Sequence, residues 1–168
     1  MDQKKKFLIY VVEDNKIYNK MVCEHLKKAN YTNIKSFEFG KECIKTVKDG
    51  EKPDIVIQDY ALDDVTGIDV LKAVKKYNKT TEFVFLTANE NMEIAVNSIK
   101  YGAYDYIVKD NDIAFKKVVY NINKIAKAIL LRKRNRTINI FMVSTIIVLA
   151  IIVLLGFLQI AFKIFGDM

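Results

Sequence analysis

Three carboxylates, one hydroxyl and one amine stand where strand-length apolar runs end. Glu13 and Asp14 follow the run Phe7 to Val12, Asp59 follows Asp54 to Gln58, Thr87 follows Glu82 to Leu86, and Lys109 follows Tyr104 to Val108. Carboxylates brought together repel one another and raise each other's pKa unless a cation compensates. Oxygen-only ligation with room for water suits Mg²⁺, which prefers one or two carboxylates plus waters and phosphate oxygens to an all-protein cage. A phosphoryl group under attack by a carboxylate spreads charge over three equatorial oxygens, and these need a metal, an ammonium and a hydroxyl or amide donor. Lys109 and Thr87 are donors of those kinds.

Taken singly, each residue has an ordinary explanation. Glu13-Asp14 could cap a helix, Asp59 could end a strand in a turn, and Lys109 could be a surface lysine. The chemical reading depends on all of them meeting at one place, so the elements that carry them decide it. A fifth apolar run, Ile34 to Phe39, brings the strand candidates to five. Between them lie stretches at helical spacing: Ile17, Met21, Val22, His25 and Leu26; Cys43, Ile44 and Val47; Ile68, Leu71 and Val74; Ile94, Ala95, Ser98 and Ile99. A last helix is expected from about Asp112. Strand and helix alternate, and Ile55-Val56-Ile57 is apolar on both faces, as a central strand covered on both sides would be. The prediction is a doubly wound α/β sheet, whose ligand site forms outside the carboxyl ends of the strands. Every residue of the set stands at such an end.

With those residues placed, the sequence resembles the receiver domain of bacterial two-component response regulators over roughly Lys6 to Lys127. The resemblance is carried by Val11-Val12-Glu13-Asp14-Asn15, by Pro53-Asp54-Ile55-Val56-Ile57-Gln58-Asp59, by Gly67 eight residues beyond Asp59, by Leu86-Thr87-Ala88, and by Gly102-Ala103-Tyr104-Asp105-Tyr106-Ile107-Val108-Lys109. It implies a five-stranded parallel sheet of order 2-1-3-4-5, with Asp59 accepting a phosphoryl group from a histidine kinase or phosphotransfer protein. It further implies Mg²⁺ held by Glu13, Asp14, Asp59 and the main-chain carbonyl of Ala61, with Lys109 and Thr87 on the phosphoryl oxygens. Thr87 and Tyr106 would be the switch residues, altering the face built by the fourth helix, fifth strand and fifth helix. Ala61 and Asn89 would line the water path that sets the lifetime of the aspartyl phosphate. Asp63 and Asp110 stand where the family commonly has proline. Without proline a cis bond costs ~3–4 kcal/mol, so a trans Lys109–Asp110 bond becomes accessible.

Beyond the receiver the composition changes. Residues 1–131 carry 22 Lys+Arg and 19 Asp+Glu, a net of +3, whereas residues 132–168 carry 5 and 1, a net of +4. The excess positive charge is therefore concentrated in the tail, and no nucleic-acid partner is expected from a pI near 9.2 alone. Ile138 to Phe162 contains 25 residues without a charge or a histidine. As a helix it would reach ~37 Å, enough to cross a ~30 Å hydrocarbon layer. Arg132-Lys133-Arg134-Asn135-Arg136 precedes it and only Lys163 and Asp167 follow, which by the positive-inside rule puts the N-terminal side in the cytoplasm. The expected organisation is a receiver over 1–131, a basic juxtamembrane linker over 132–137, a transmembrane helix over 138–162 and a short non-cytoplasmic tail over 163–168. MDQKKK leads into a strand rather than a signal-type apolar region, so no export signal is expected. Cys23 and Cys43 are too few and too far apart for a zinc site or disulfide framework and are expected to be reduced packing residues.

The chain is thus expected at the cytoplasmic membrane as a single-pass protein with a cytoplasmic receiver. It is not expected to be an enzyme beyond its own phosphorylation and dephosphorylation. Three functions stay open at the level of sequence: a switch that recruits a partner when Asp59 is phosphorylated, a phosphate sink or relay, and a structural membrane adaptor that never reacts.

Overall fold

The structure is a computed structural model that describes residues 3–88 and 90–166. After a 3-10 turn at Gln3–Lys6, the elements run β1 (Ile9–Val12), α1 (Lys16–Lys28), β2 (Ile34–Phe37), α2 (Gly40–Lys48), β3 (Ile55–Gln58), α3 (Gly67–Tyr77), β4 (Glu82–Thr87), α4 (Met92–Lys100), β5 (Asp105–Val108) and α5 (Asn111–Gly166). The strands form one parallel sheet of order β2-β1-β3-β4-β5. Its register aligns Val12 with Phe37 and Gln58, and Thr87 with Val108. Gln58 is level with Phe85, so β4 and β5 run two residues beyond the ends of the other three strands, and the loops after all five share one edge.

The three central strands, β1, β3 and β4, are buried on both faces because helices cover both sides of the sheet. Tyr10, Val12, Val56, Phe83 and Phe85 pack with Val47, Val70, Leu71 and Val74 of α2 and α3. The alternate residues Ile9, Val11, Ile55, Ile57, Val84 and Leu86 point to the other face by the two-residue pleat, and they too are buried. On that side Tyr18 of α1 meets Phe115 of α5, ring centroids 5.1 Å apart. Burying side chains of this size contributes roughly 1.5–3 kcal/mol each, which is why the apolar runs could be read as strands.

Strand ends differ from the expected limits for local reasons. Phe7 and Leu8 precede β1 because the Leu8 N–H is taken by the Asp54 carboxylate at 3.0 Å. Glu38 and Phe39 fall outside β2 because Phe39 already occupies the N-cap position of α2. The helix starts have their own caps: Asn15 accepts from Ile17 N and Tyr18 N, Thr66 from Asp69 N, and Asn91 from Glu93 N and Ile94 N. The Lys109–Asp110 bond is trans, the alternative that the missing proline had opened. Asp110 N donates to Val108 O at 2.8 Å, a tight turn that proline could not make.

The chain divides into two compact units, residues 1–126 and 127–168, with the boundary inside α5. The first holds the sheet and its covering helices. The second is helical through its described residues, so residues 132–137, read from sequence as a linker, lie within α5. Ile113–Gly156 contains a window of mean hydropathy 2.9 and is, by length and composition, long and apolar enough to cross a membrane. Residues 163–166 close α5, and the last two residues of the expected tail lie outside the described ones.

Candidate functional site

The common edge gathers the expected residues. Glu13, Asp14 and Asp59 each offer a carboxylate oxygen within 4.8 Å of the others. Lys109 reaches between two of them, its Nζ 2.7 Å from Glu13 Oε2 and 2.5 Å from Asp59 Oδ2. Asp59 Oδ1 accepts from Ala61 N at 3.2 Å. Both oxygens of the central carboxylate are thus engaged by this chain's own donors. Lys109 is set in place by its backbone, since its N–H donates to Thr87 O at 2.7 Å across the last rung of β4 and β5.

The site is sheltered. Glu13 is 3% exposed, Asp59 7% and Thr87 1%. Burial pushes the Glu13 carboxyl above the ordinary carboxylate range, and Asp59 adds to this while Lys109 opposes it. Glu13 Oε1 is buried without a hydrogen-bond partner. A buried carboxylate oxygen left unpaired costs ~1–3 kcal/mol or more, so the geometry favours a cation beside it. Three oxygen donors with no thiol or imidazole among them fit Mg²⁺ by ligand type. The Thr87 and Tyr106 hydroxyls share a hydrogen bond. Tyr106 is half-buried, and its pKa is raised first by burial and then by Tyr60 and Asp59. It faces a shallow groove lined by Ala95, Val96, Ile99, Lys100 and Asp105. Asn89 lies outside the described residues.

Some participants were missed from sequence. The Tyr18 ring lies 4.6 Å from Lys109 Nζ, a cation–π distance, and burial followed by the charges of Glu13 and Asp59 pushes its hydroxyl up to about 12. One turn into a helix that starts beside Glu13, it was in reach of the site edge, but an aromatic at helical spacing reads first as core. Gln58 is buried and donates from Nε2 to Gly67 O at 3.0 Å, which ties the acceptor strand to α3. Asp64 joins the loop after Asp59 to α2, its carboxylate oxygens accepting from Gly40 N and Lys41 N at 2.9 Å each. The remaining sequence readings concern packing residues. His25 stacks on Phe115 at 4.4 Å, away from the acidic edge, with Nδ1 2.8 Å from Met21 O. Cys23 and Cys43 are free, and Cys43 is buried.

This fold and edge define a class before any particular relative does. Residues 9–118 match the response regulator receiver domain family, and the chain belongs to it. That places it in two-component signalling. Among similar proteins, the regulatory protein LuxO of Vibrio cholerae is 36% identical over 89 residues, 53% of this chain and 19% of LuxO. The chemotaxis protein CheY of Thermotoga maritima is 29% identical over 119 residues, 71% of this chain and 97% of CheY. The solved receiver domain of a LuxO repressor protein from Vibrio parahaemolyticus superposes with a TM-score of 0.67 at 25% identity, covering 74% of this chain and 93% of that one. The match thus spans nearly all of CheY but only about a fifth of LuxO.

Proposed function

We propose that this chain is a membrane-anchored receiver that takes a phosphoryl group on Asp59 and changes its α4–β5 surface for a partner protein. The observation that carries the reading is the Lys109 ammonium, held between Glu13 and Asp59 while the second Glu13 oxygen stays buried and unpaired. The donor would be a phosphohistidine of a histidine kinase or phosphotransfer protein, the partners typical of the family. A carboxylate oxygen of Asp59 forms the new P–O bond as the P–N bond breaks, and the leaving imidazole keeps the electron pair. Lys109 and the Thr87 hydroxyl then contact the phosphoryl oxygens. Glu13, Asp14, Asp59 and the Ala61 carbonyl would hold Mg²⁺, which when bound neutralises charge on those oxygens. Apart from handling its own phosphoryl group, the protein would catalyse nothing.

A switch is favoured over a sink or an inert adaptor by the surface beside Tyr106. Met92, Val96 and Ile99 of α4 are exposed there, and Tyr106 is bonded to the hydroxyl that would move toward the phosphate. The anchor would be the apolar stretch Ile138 to Phe162, inserted after the basic run Arg132 to Arg136, with the receiver on the cytoplasmic side of the cytoplasmic membrane. Phosphate-affinity gels after incubation with a small phosphodonor and Mg²⁺ test the chemistry. A retarded band is expected for the wild type and none for Asp59→Ala or in the presence of EDTA. A wild type that never shifts would sink the phospho-acceptor reading. Equal partner capture from wild-type and Asp59→Ala membranes, with kinase present, would sink the switch.

A further inference from the structure

The parallel sheet gives the receiver two edges of opposite charge, and the chemistry above uses only the acidic one. Every crossover helix starts near the site edge and brings its C-terminus back to the edge where the next strand begins. At that second edge Lys28, Lys48, Lys76 and Lys100 stand exposed in the last turns of α1 to α4. Lys52 and Lys79 stand exposed in the loops entering β3 and β4. Lysines in a last turn complement the helix dipole, which needs no ligand. Lys52 and Lys79 belong to no helix, so the dipole accounts for neither. Of the acids at this edge, Asp54 accepts from Leu8 N, and Glu51 accepts from Tyr10 Oη and from Lys35 Nζ at 2.9 Å, while Asp49 at the C-cap of α2 is exposed among the six lysines.

Two further observations bear on what this edge would meet. All 22 basic residues before Arg132 are lysines. Lysine is a mobile point charge without arginine's planar fork, suited to a diffuse anionic surface rather than to bidentate recognition of single phosphates. The chain also leaves the folded unit here: the part of α5 within the first unit ends at Ala126, on the side of the other helix C-termini, and the run Arg132 to Arg136 follows six residues later.

We infer that the basic edge is a docking surface for anionic lipid headgroups, which holds the receiver with its acceptor edge turned away from the bilayer and open to a kinase. The inference rests on the membrane anchoring proposed above. Anchoring supplies a high effective lipid concentration, and lysines within a Debye length of ~8 Å of an anionic leaflet are attracted to it. The acids at the opposite edge, Asp14, Asp63 and Asp64 among them, are repelled, so the same field also orients the domain.

The test uses the full chain reconstituted in two kinds of lipid nanodisc, phosphatidylcholine alone and phosphatidylcholine with phosphatidylglycerol in equal parts. Lysine acylation is read residue by residue by mass spectrometry. In the anionic discs, labelling of Lys48, Lys52, Lys76 and Lys79 is expected to slow at least ~3-fold, with the protection lost at 1 M salt, where the Debye length is ~3 Å. Lys16 and Lys41, at the starts of α1 and α2 on the site edge, are expected to label equally in both discs. A Lys48→Gln/Lys52→Gln/Lys76→Gln/Lys79→Gln chain, altered only at exposed positions, is expected to lose the lipid-dependent protection of Lys28 and Lys100 as well. Equal labelling in the two discs would overturn the inference and leave anchoring intact, as would protection that extends equally to Lys16 and Lys41. A chain recovered free of both discs would overturn the anchoring and this inference with it.

Discussion

Gly67 shows how closely the acceptor is packed at the scale of single residues. A Cβ there would lie 2.7 Å from Phe85 Cε1, 2.8 Å from the Asp59 carbonyl oxygen and 2.9 Å from Gln58 Nε2. The second contact is backbone, and it belongs to the residue that would carry the phosphoryl group. Overpacking of this kind costs ~1–3 kcal/mol, and the better helix propensity of alanine returns at most ~1 kcal/mol. Gly67→Ala is therefore expected to lower the urea midpoint at unchanged m-value and to slow phosphorylation of Asp59; an unchanged midpoint would mean that the acceptor carbonyl moves freely. Cys43 makes a second prediction. Burial pushes its thiol from 9.0 up to about 12. A raised folded pKa means that the group's stabilising contribution is complete below about 9 and is lost as pH rises toward 12. Alkylation at about pH 8, near the thiol's free pKa, followed by mass spectrometry, should mark half-buried Cys23 first and reach Cys43 only in urea. Labelling of native Cys43 at the rate of a free thiol would contradict this.

Among the elements, what could be read from the sequence was what depends on local pattern. Ile55-Val56-Ile57 announces a strand buried on both faces. The site residues were legible for the same reason, because parallel strands with helical returns must end at one edge. Less legible was whatever a distant segment supplies. The residue before α2 is Phe39, which has no side chain able to cap; the cap comes instead from Asp64, more than twenty residues later. In the sequence Asp64 is one of two adjacent acids in a loop, and only the pairing of that loop, through the Ala61–Thr66 bridge, brings it to Gly40. Tyr18 of α1 escaped notice in a similar way, since its partner Lys109 follows β5, far along the chain. Asp64 places a negative charge at a helix N-terminus and satisfies two amides, so Asp64→Ala is expected to cost about 1–2 kcal/mol and Asp64→Asn less. Hydrogen exchange should localise the effect, with the Gly40 and Lys41 amides losing protection first. Loss spread evenly over the sheet would argue against capping as the cause.

For the molecule as a whole, the two compact units obey different solvent rules. The receiver buries its apolar side chains against its own helices, whereas the apolar residues from Ile138 to Ile152, with Leu154 and Leu155, leave theirs exposed, as at Phe141 and Leu149. In water such a surface invites aggregation, and in lipid it is already matched to its surroundings. The anchoring proposed here can be put in energies. The stretch Ile138 to Phe162 holds 17 Leu, Ile, Val and Phe residues, worth about −5 to −10 kcal/mol of insertion free energy at −0.3 to −0.6 each. One arginine near the centre costs about 2.5–3.5 kcal/mol, too little to reverse that sum, while two bring it near balance. Leu149→Arg alone is therefore expected to leave the chain in the pellet after alkaline carbonate extraction of membranes. Leu149→Arg/Ile152→Arg is expected to release a large fraction to the supernatant. If wild type and double variant partition alike, the apolar stretch is not held by lipid, and the receiver must reach its partners from solution.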